Sequence, residues 1–219
     1  MKLIVFDCDG TLVDGQHLIL DAMQSASKVC QISYPGDDAV RQIVGLSLME
    51  AIEICYPDAT TEICLGLKDA FVARFQELRL RDEDNEPLSD GVLEVLEQLN
   101  SDGYILGIAT GKSTRGLIST LNNHGLRDHF LTLNTADDGP GKPHPSMLLN
   151  AMKDVGARPE NTIMVGDTTY DIHMALAAKV RAVGVSWGYH DPDKLVAAGA
   201  HYMLDHISHI RKILDEAFL

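Results

Sequence analysis

Hydrophobic residues fall along this 219-residue chain in two alternating patterns. Leu3-Ile4-Val5-Phe6 is an unbroken apolar run that stops abruptly at Asp7-Cys8-Asp9-Gly10-Thr11. A run that short, apolar at every residue, predicts a strand covered on both faces, and the acidic turn marks its carboxyl end. Residues 104–109, stopped by Thr110-Gly111, and residues 162–165, stopped by Gly166-Asp167, predict two more. Residues 129–133 and 181–185 are fainter versions of the same pattern. Between these runs apolar residues recur at helical spacing: Val92, Leu93, Leu96 and Leu99; Leu117, Ile118 and Leu121; Met147, Leu148, Ala151, Met152 and Val155. Strand and helix in alternation predict an α/β fold, a Rossmann-like parallel sheet with helices on both faces.

Residues 15–86 break the alternation. Leu18, Ala22, Met23, Ala26 and Val29 keep helical spacing, as do Leu48, Ala51, Ile52 and Cys55, and then Ile63, Leu67, Ala70, Phe71, Phe75 and Leu78. No strand pattern interrupts them, so the expectation is an all-helical insert placed after the first strand. The chain then divides into an α/β core, residues 1–14 and 87–219, and a helical domain, residues 15–86. Asp82-Glu83-Asp84-Asn85-Glu86-Pro87, acidic and ended by proline, reads as the return hinge.

Charge narrows the partners. Lysine and arginine number 18 against 32 acidic residues, a net charge of −14. Nucleic-acid and anionic-membrane partners are disfavoured, because phosphate backbones and headgroups call for a basic surface. Apolar residues at 45% and charged residues at 23% suit a folded globular chain. No stretch approaches the ~18 consecutive apolar residues of a membrane span, and the apolar residues before Asp7 are too few for a signal-peptide core. Cys8, Cys30, Cys55 and Cys64 lack the C-x-x-C spacing of a zinc site. They are also too sparse for a disulfide framework, so the expected setting is the cytoplasm. The pattern specifies no oligomeric state.

Ligands of open parallel sheets bind at the carboxyl ends of the strands, and three of the expected strands end in reactive turns. Asp7 and Asp9, two residues apart, offer a nucleophile and a proton-transfer group, or simply an acidic capping turn. Thr110-Gly111 before a helix offers a hydroxyl and amides to an anion, or an ordinary N-cap. Lys142, in Gly139-Pro140-Gly141-Lys142-Pro143-His144-Pro145, is a stiffly held cation or a surface lysine. Asp167 and Asp171 stand one helical turn apart, as hard oxygen ligands for magnesium or as a cap and a solvated residue.

The order of these motifs carries more than any one of them. Strand–Asp-x-Asp-Gly-Thr, strand–Thr-Gly, Lys-Pro and strand–Gly-Asp-Thr-x-x-Asp together resemble the haloacid-dehalogenase-like superfamily of phosphohydrolases, with Phe6-Asp7-Cys8-Asp9-Gly10-Thr11-Leu12-Val13-Asp14 as its first motif. The helical insert sits where that superfamily carries a four-helix cap.

The resemblance implies that Asp7 attacks phosphorus and becomes an aspartyl-phosphate. It implies that Asp9 acts as general acid, then base, and offers its backbone carbonyl to Mg2+. Thr110 and Gly111 would bind phosphoryl oxygens, Lys142 would neutralise their charge, and Asp167 with Asp171 would complete the metal site with Asp7 and Asp9. Asp9 disfavours the dehalogenase branch, which lacks that second carboxylate. Ile19, standing where the phosphoglucomutase-like branch carries histidine, disfavours a mutase. Lys28 and Lys68 lack a context for Schiff-base chemistry.

Thr110-Gly111-Lys112-Ser113 and Ser186-Trp187-Gly188-Tyr189 make the chain most similar to bacterial phosphoglycolate phosphatases. The implied partner is a small phosphorylated metabolite, 2-phosphoglycolate first, with a sugar phosphate or pyrophosphate as the alternative. A phospho-accepting receiver domain is shorter, has no cap and carries its acceptor after the third strand. Arg41 reads as a solvated helix-face residue with a second reading as a contact to a substrate carboxylate, Arg115 equally as a cleft-rim or solvent residue, Cys8 as packing, Trp187 as a loop anchor and His144 as a cap or solvent residue.

Overall fold

Six strands pair side by side: β1 (Leu3–Phe6), β2 (Ile105–Ala109), β3 (Thr132–Asn134, later than the expected 129–133), β4 (Thr162–Gly166), β5 (Arg181–Val185) and β6 (Tyr202–Leu204). They form one parallel sheet in the order β3-β2-β1-β4-β5-β6. This is a computed structural model, and it describes residues 1–81 and 86–218. Residues 82–85, most of the expected return hinge, lie outside the described residues.

Side chains alternate across a strand, and β1 shows why none of its residues is polar. Leu3 and Val5 enter one core with Met164, Leu148 and Ile172, while Ile4 and Phe6 enter the other with Leu96, Ile108, Leu117 and Val165. Each such side chain contributes about 1.5–3 kcal/mol on burial, so a central strand covered on both faces tolerates no polar position. The covering helices are α5 (Val92–Ser101), α6 (Thr114–Asn123), α7 (Ser146–Val155), α8 (Thr169–Ala177), α9 (Pro192–Ala197) and α10 (Ile210–Ala217).

Between β1 and α5 the chain builds α1 (Gln16–Val29), α2 (Asp37–Ile43), α3 (Leu48–Cys55) and α4 (Thr61–Arg81). These helices have a hydrophobic cluster of their own, centred on Met23, Ala26, Val40, Ile52 and Leu67. A buried hydroxyl pair, Ser27 Oγ and Tyr56 Oη at 2.7 Å, lies among them. The outgoing and returning segments are bonded to each other, with Asp14 N donating to Pro87 O (2.8 Å) and Ser89 N to Leu12 O (2.9 Å).

Helices α2, α9 and α10 and strand β6 go beyond the sequence reading. Helix α2 buries only Val40 and Ile43, too few apolar residues to show a period. Strand β6 is a three-residue edge strand whose one fully buried side chain is Leu204. No described helix is long and apolar enough to cross a membrane.

Candidate active site

The turn after β1 sets the first carboxylates. Asp7 N still donates to Val165 O across the sheet (2.8 Å), and then Leu12 N and Val13 N both donate to Cys8 O (2.9 and 3.1 Å), folding the chain back. Gly10 adopts φ +78° at the bend, and a Cβ there would strike the Asp167 carboxylate and the Tyr189 ring. Glycine is required on both counts.

Asp7 is 1% exposed. Its Oδ1 accepts from Cys8 N (2.6 Å) and lies 2.7 Å from Lys142 Nζ. Its Oδ2 is buried with no hydrogen-bond partner among the described residues. Lys142, equally buried before a cis peptide to Pro143, also lies 2.7 Å from Asp171 Oδ1. Asp171 is fixed by a capping box at the start of α8: its Oδ2 accepts from Thr168 N (3.0 Å) and Thr168 Oγ1 (2.8 Å). Asp167 accepts from Thr11 Oγ1 (2.9 Å) and from Tyr189 N (2.9 Å).

Asp7, Asp167 and Asp171 each offer a carboxylate oxygen within 4.8 Å of the others, and all three are buried. Three carboxylates here share one ammonium group, two charges short of balance, and that shortfall matches a divalent cation. Burial, and then the Asp171 and Asp9 charges, push Asp7 up to about 7 against the pull of Lys142. Burial also raises Asp167 well above the carboxylate range, with Asp7 and Asp171 adding to it. For Lys142 burial works downward, but Asp171 and Asp7 outweigh it and its ammonium is held above the ordinary range. Hard oxygen donors with an unsatisfied, buried Oδ2 fit Mg2+.

After β2, Thr110 N is taken by Asn134 O (3.0 Å), and Thr110 Oγ1 accepts from Lys112 N (3.2 Å), which leaves the hydroxyl proton to donate. Gly111 touches the loop between α2 and α3: a Cβ at Gly111 would collide with Leu46 O and lie 2.7 Å from Gly45 O. A cavity of about 880 Å³ opens above, with Asp7, Asp9 and Thr110 in its floor and Ile19, Met23, Phe71 and Phe75 among its roof.

Asp9 turns away from the three aspartates. Its Oδ1 lies 2.9 Å from Lys112 Nζ, which lies 2.7 Å from Glu86 Oε1. Glu86 Oε2 in turn lies 3.0 Å from Arg79 Nε on α4. Burial raises Asp9, with Glu86 adding and Lys112 opposing. Burial presses on Lys112 too, yet Asp9 and Glu86 hold its ammonium above the ordinary lysine value.

The structure thus brings Asp7, Lys142, Asp167 and Asp171 into one cluster, with Thr110 and Gly111 beside it and the Asp9 side chain outside it. Arg41 pairs with Asp38 (2.8 Å) and does not line the cavity, whereas exposed Arg115 does. Cys8 is buried packing, its thiol pushed up by burial and by Asp9. Trp187 anchors its loop through Nε1 to Thr11 O (3.2 Å), and His144 accepts from Ser146 N at the start of α7 (3.3 Å). Sequence reasoning passed over Thr11, Glu86, Lys112 and Tyr189. Thr11 stood inside the first motif and Lys112 directly after Thr110-Gly111; Glu86 lay in an acidic run that singled out none of its members.

The fold and site define a doubly wound α/β protein whose polar chemistry gathers at the carboxyl edge of the sheet. Residues 4–185 match the haloacid dehalogenase-like hydrolase family, and the chain belongs to that family. It is 35% identical over 211 residues to a probable phosphatase, IndB, of Dickeya dadantii, covering 95% of this chain and 91% of that one. It is 29% identical over 220 residues to the pyrophosphatase PpaX of Oceanobacillus iheyensis, covering 100% and 99%. The crystal structure of a predicted phosphoglycolate phosphatase from Haemophilus somnus superposes with a TM-score of 0.87 at 26% identity, covering 98% of each chain.

Proposed function

We propose that the protein is a Mg2+-dependent phosphomonoester hydrolase working through an aspartyl-phosphate on Asp7. One observation carries the reading: a buried carboxylate with one unpartnered oxygen stands beside a buried lysine at the carboxyl edge of the sheet. In the first half, an Asp7 carboxylate oxygen bonds to phosphorus as the ester P–O bond breaks, and the leaving oxygen takes a proton from Asp9. In the second half, Asp9 takes a proton from water as the water oxygen bonds to phosphorus. The Asp7–phosphorus bond then breaks and inorganic phosphate is released. Lys142 and the Thr110 hydroxyl, with the Gly111 amide, hold the phosphoryl oxygens, where charge stabilisation dominates catalysis. Asp7, Asp167, Asp171 and the Asp9 carbonyl would hold Mg2+, which offsets repulsion between the carboxylate and an anionic ester.

Residues 15–86 act as a cap over the core, residues 1–14 and 87–219, and the cap excludes water from the reaction. The substrate is a small phosphorylated metabolite. 2-Phosphoglycolate is first among the candidates, supported by likeness to the Haemophilus somnus protein, and pyrophosphate is second, supported by likeness to PpaX. Four free cysteines suit a cytoplasmic setting. The deciding experiment is hydrolysis of a panel of phosphate esters and pyrophosphate with and without Mg2+, beside Asp7→Asn. Metal-dependent release of phosphate from 2-phosphoglycolate above the rest, lost in Asp7→Asn, supports the whole reading. Preference for another ester or for pyrophosphate moves the substrate and keeps the mechanism. A folded protein that hydrolyses none of them overturns it.

A further inference from the structure

Beside the aspartate cluster lies a second chain of buried charge, of which the reaction above uses Asp9 alone. It runs Asp9, Lys112, Glu86, Arg79, alternating in sign, with contacts of 2.9, 2.7 and 3.0 Å. The Lys112 side chain is 9% exposed and that of Glu86 4%. Glu86 cannot turn. Its Oε2 also accepts from Thr120 Oγ1 (3.2 Å), its backbone carbonyl meets His124 Nε2 (2.8 Å), and Arg79 is itself tied to Thr120 Oγ1 (3.1 Å). Lys112 is therefore gripped from behind and presents its ammonium to one oxygen of Asp9. Asp9 also lines the cavity, so its carboxylate is paired with Lys112 through Oδ1 while the residue faces the space a substrate would fill.

We infer that Lys112, braced by Glu86, is a positioning residue that holds Asp9 in the orientation from which it protonates the leaving group. This rests on the phosphomonoesterase reading, with Asp9 as its general acid. A residue that merely supports the fold lowers the rate on every substrate alike. A residue that aims a general acid matters most where the leaving oxygen most needs a proton. In a two-step reaction kcat/KM reports the chemistry only as far as departure of the leaving group, so it isolates the half in which Asp9 gives its proton.

The test measures kcat/KM with Mg2+ for p-nitrophenyl phosphate, whose leaving group departs readily, and for phenyl phosphate, whose leaving group does not. Lys112→Met is expected to lower the phenyl phosphate value by about 10²-fold and the p-nitrophenyl phosphate value by less than about tenfold. Glu86→Gln should shift the ratio the same way by a smaller factor, and Lys112→Arg should restore part of it. Added to Asp9→Asn, Lys112→Met should cost no more than about threefold further, because residues that act as a unit are not additive. Equal losses on both esters, or a Lys112→Met loss that multiplies in full onto Asp9→Asn, would overturn the inference. Glu86→Gln preserves the shape of the node and carries the same comparison even where Lys112→Met does not fold. If the wild-type protein turns over neither of these esters but does hydrolyse a member of the panel above, the same comparison is run on panel esters of differing leaving-group basicity; if it hydrolyses none, the phosphomonoesterase reading falls, and the positioning role falls with it.

Discussion

At the carboxyl edge of the sheet, Asp7, Lys142, Asp167 and Asp171 are almost wholly buried and each is held by an ion pair or a hydrogen bond, whereas across the cavity Ile19, Met23, Phe71 and Phe75 offer hydrocarbon. The floor is fixed by close ion pairs and by hydrogen bonds between named atoms. The roof is fixed by packing, with Ile19, Met23 and Phe71 in one cluster and Phe75 stacked on Phe71 and facing Lys112 and Arg79, and hydrophobic contact has no required direction. Such a floor suits a reaction that needs one geometry, and such a roof suits selection by size and shape.

The comparison breaks most visibly at its most rigid point. Asp7→Asn is expected to reduce turnover by more than about 10³-fold with the fold retained, checked by phosphate release and circular dichroism; residual activity within tenfold of wild type would remove Asp7 as nucleophile. Lys142→Met leaves three clustered buried carboxylates without their cation, and urea unfolding in metal-free buffer should show a loss of about 3–5 kcal/mol. Mg2+ at one hundred times its dissociation constant should add about 2.7 kcal/mol to wild-type stability. Asp167→Asn should lose most of that gain, read by urea unfolding with and without Mg2+. In the roof, Phe75→Ala should leave hydrolysis of the smallest esters near wild type and lower kcat/KM for aryl esters about tenfold. A uniform loss across ester sizes would tie Phe75 to the floor instead.

The same contrast governs what could be read from the sequence. Part of the floor was legible because Asp7, Thr110 and Asp167 stand at the ends of apolar runs, where position and chemistry are stated together. Lys142 was legible only through its place in the order of motifs. Helices α1, α3 and α4 showed their period, while α2, with two buried residues, had none to show. Strand β6 was too short to register. The Asp9–Lys112–Glu86–Arg79 chain was illegible for a different reason. Lys112 meets Glu86 across 26 positions of sequence, and an acidic run at 82–86 gives no sign of which member will be buried. Asp9 was placed correctly at its turn, but the cation that holds it comes from the far side of the insert.

The chain leaves the sheet once after β1, builds all four roof helices, and returns once, the two crossings joined by the Asp14–Pro87 and Leu12–Ser89 bonds. Everything that lies over the floor from α1 to α4 is therefore written in a single uninterrupted passage of the gene. A duplicated copy can drift through most of that passage, Arg79 near its end excepted, and acquire a different diet, while the lines on either side, which encode the floor, stay as they were. Descent with a changed appetite then asks for neither a new fold nor a new catalyst, only for a rewritten parenthesis.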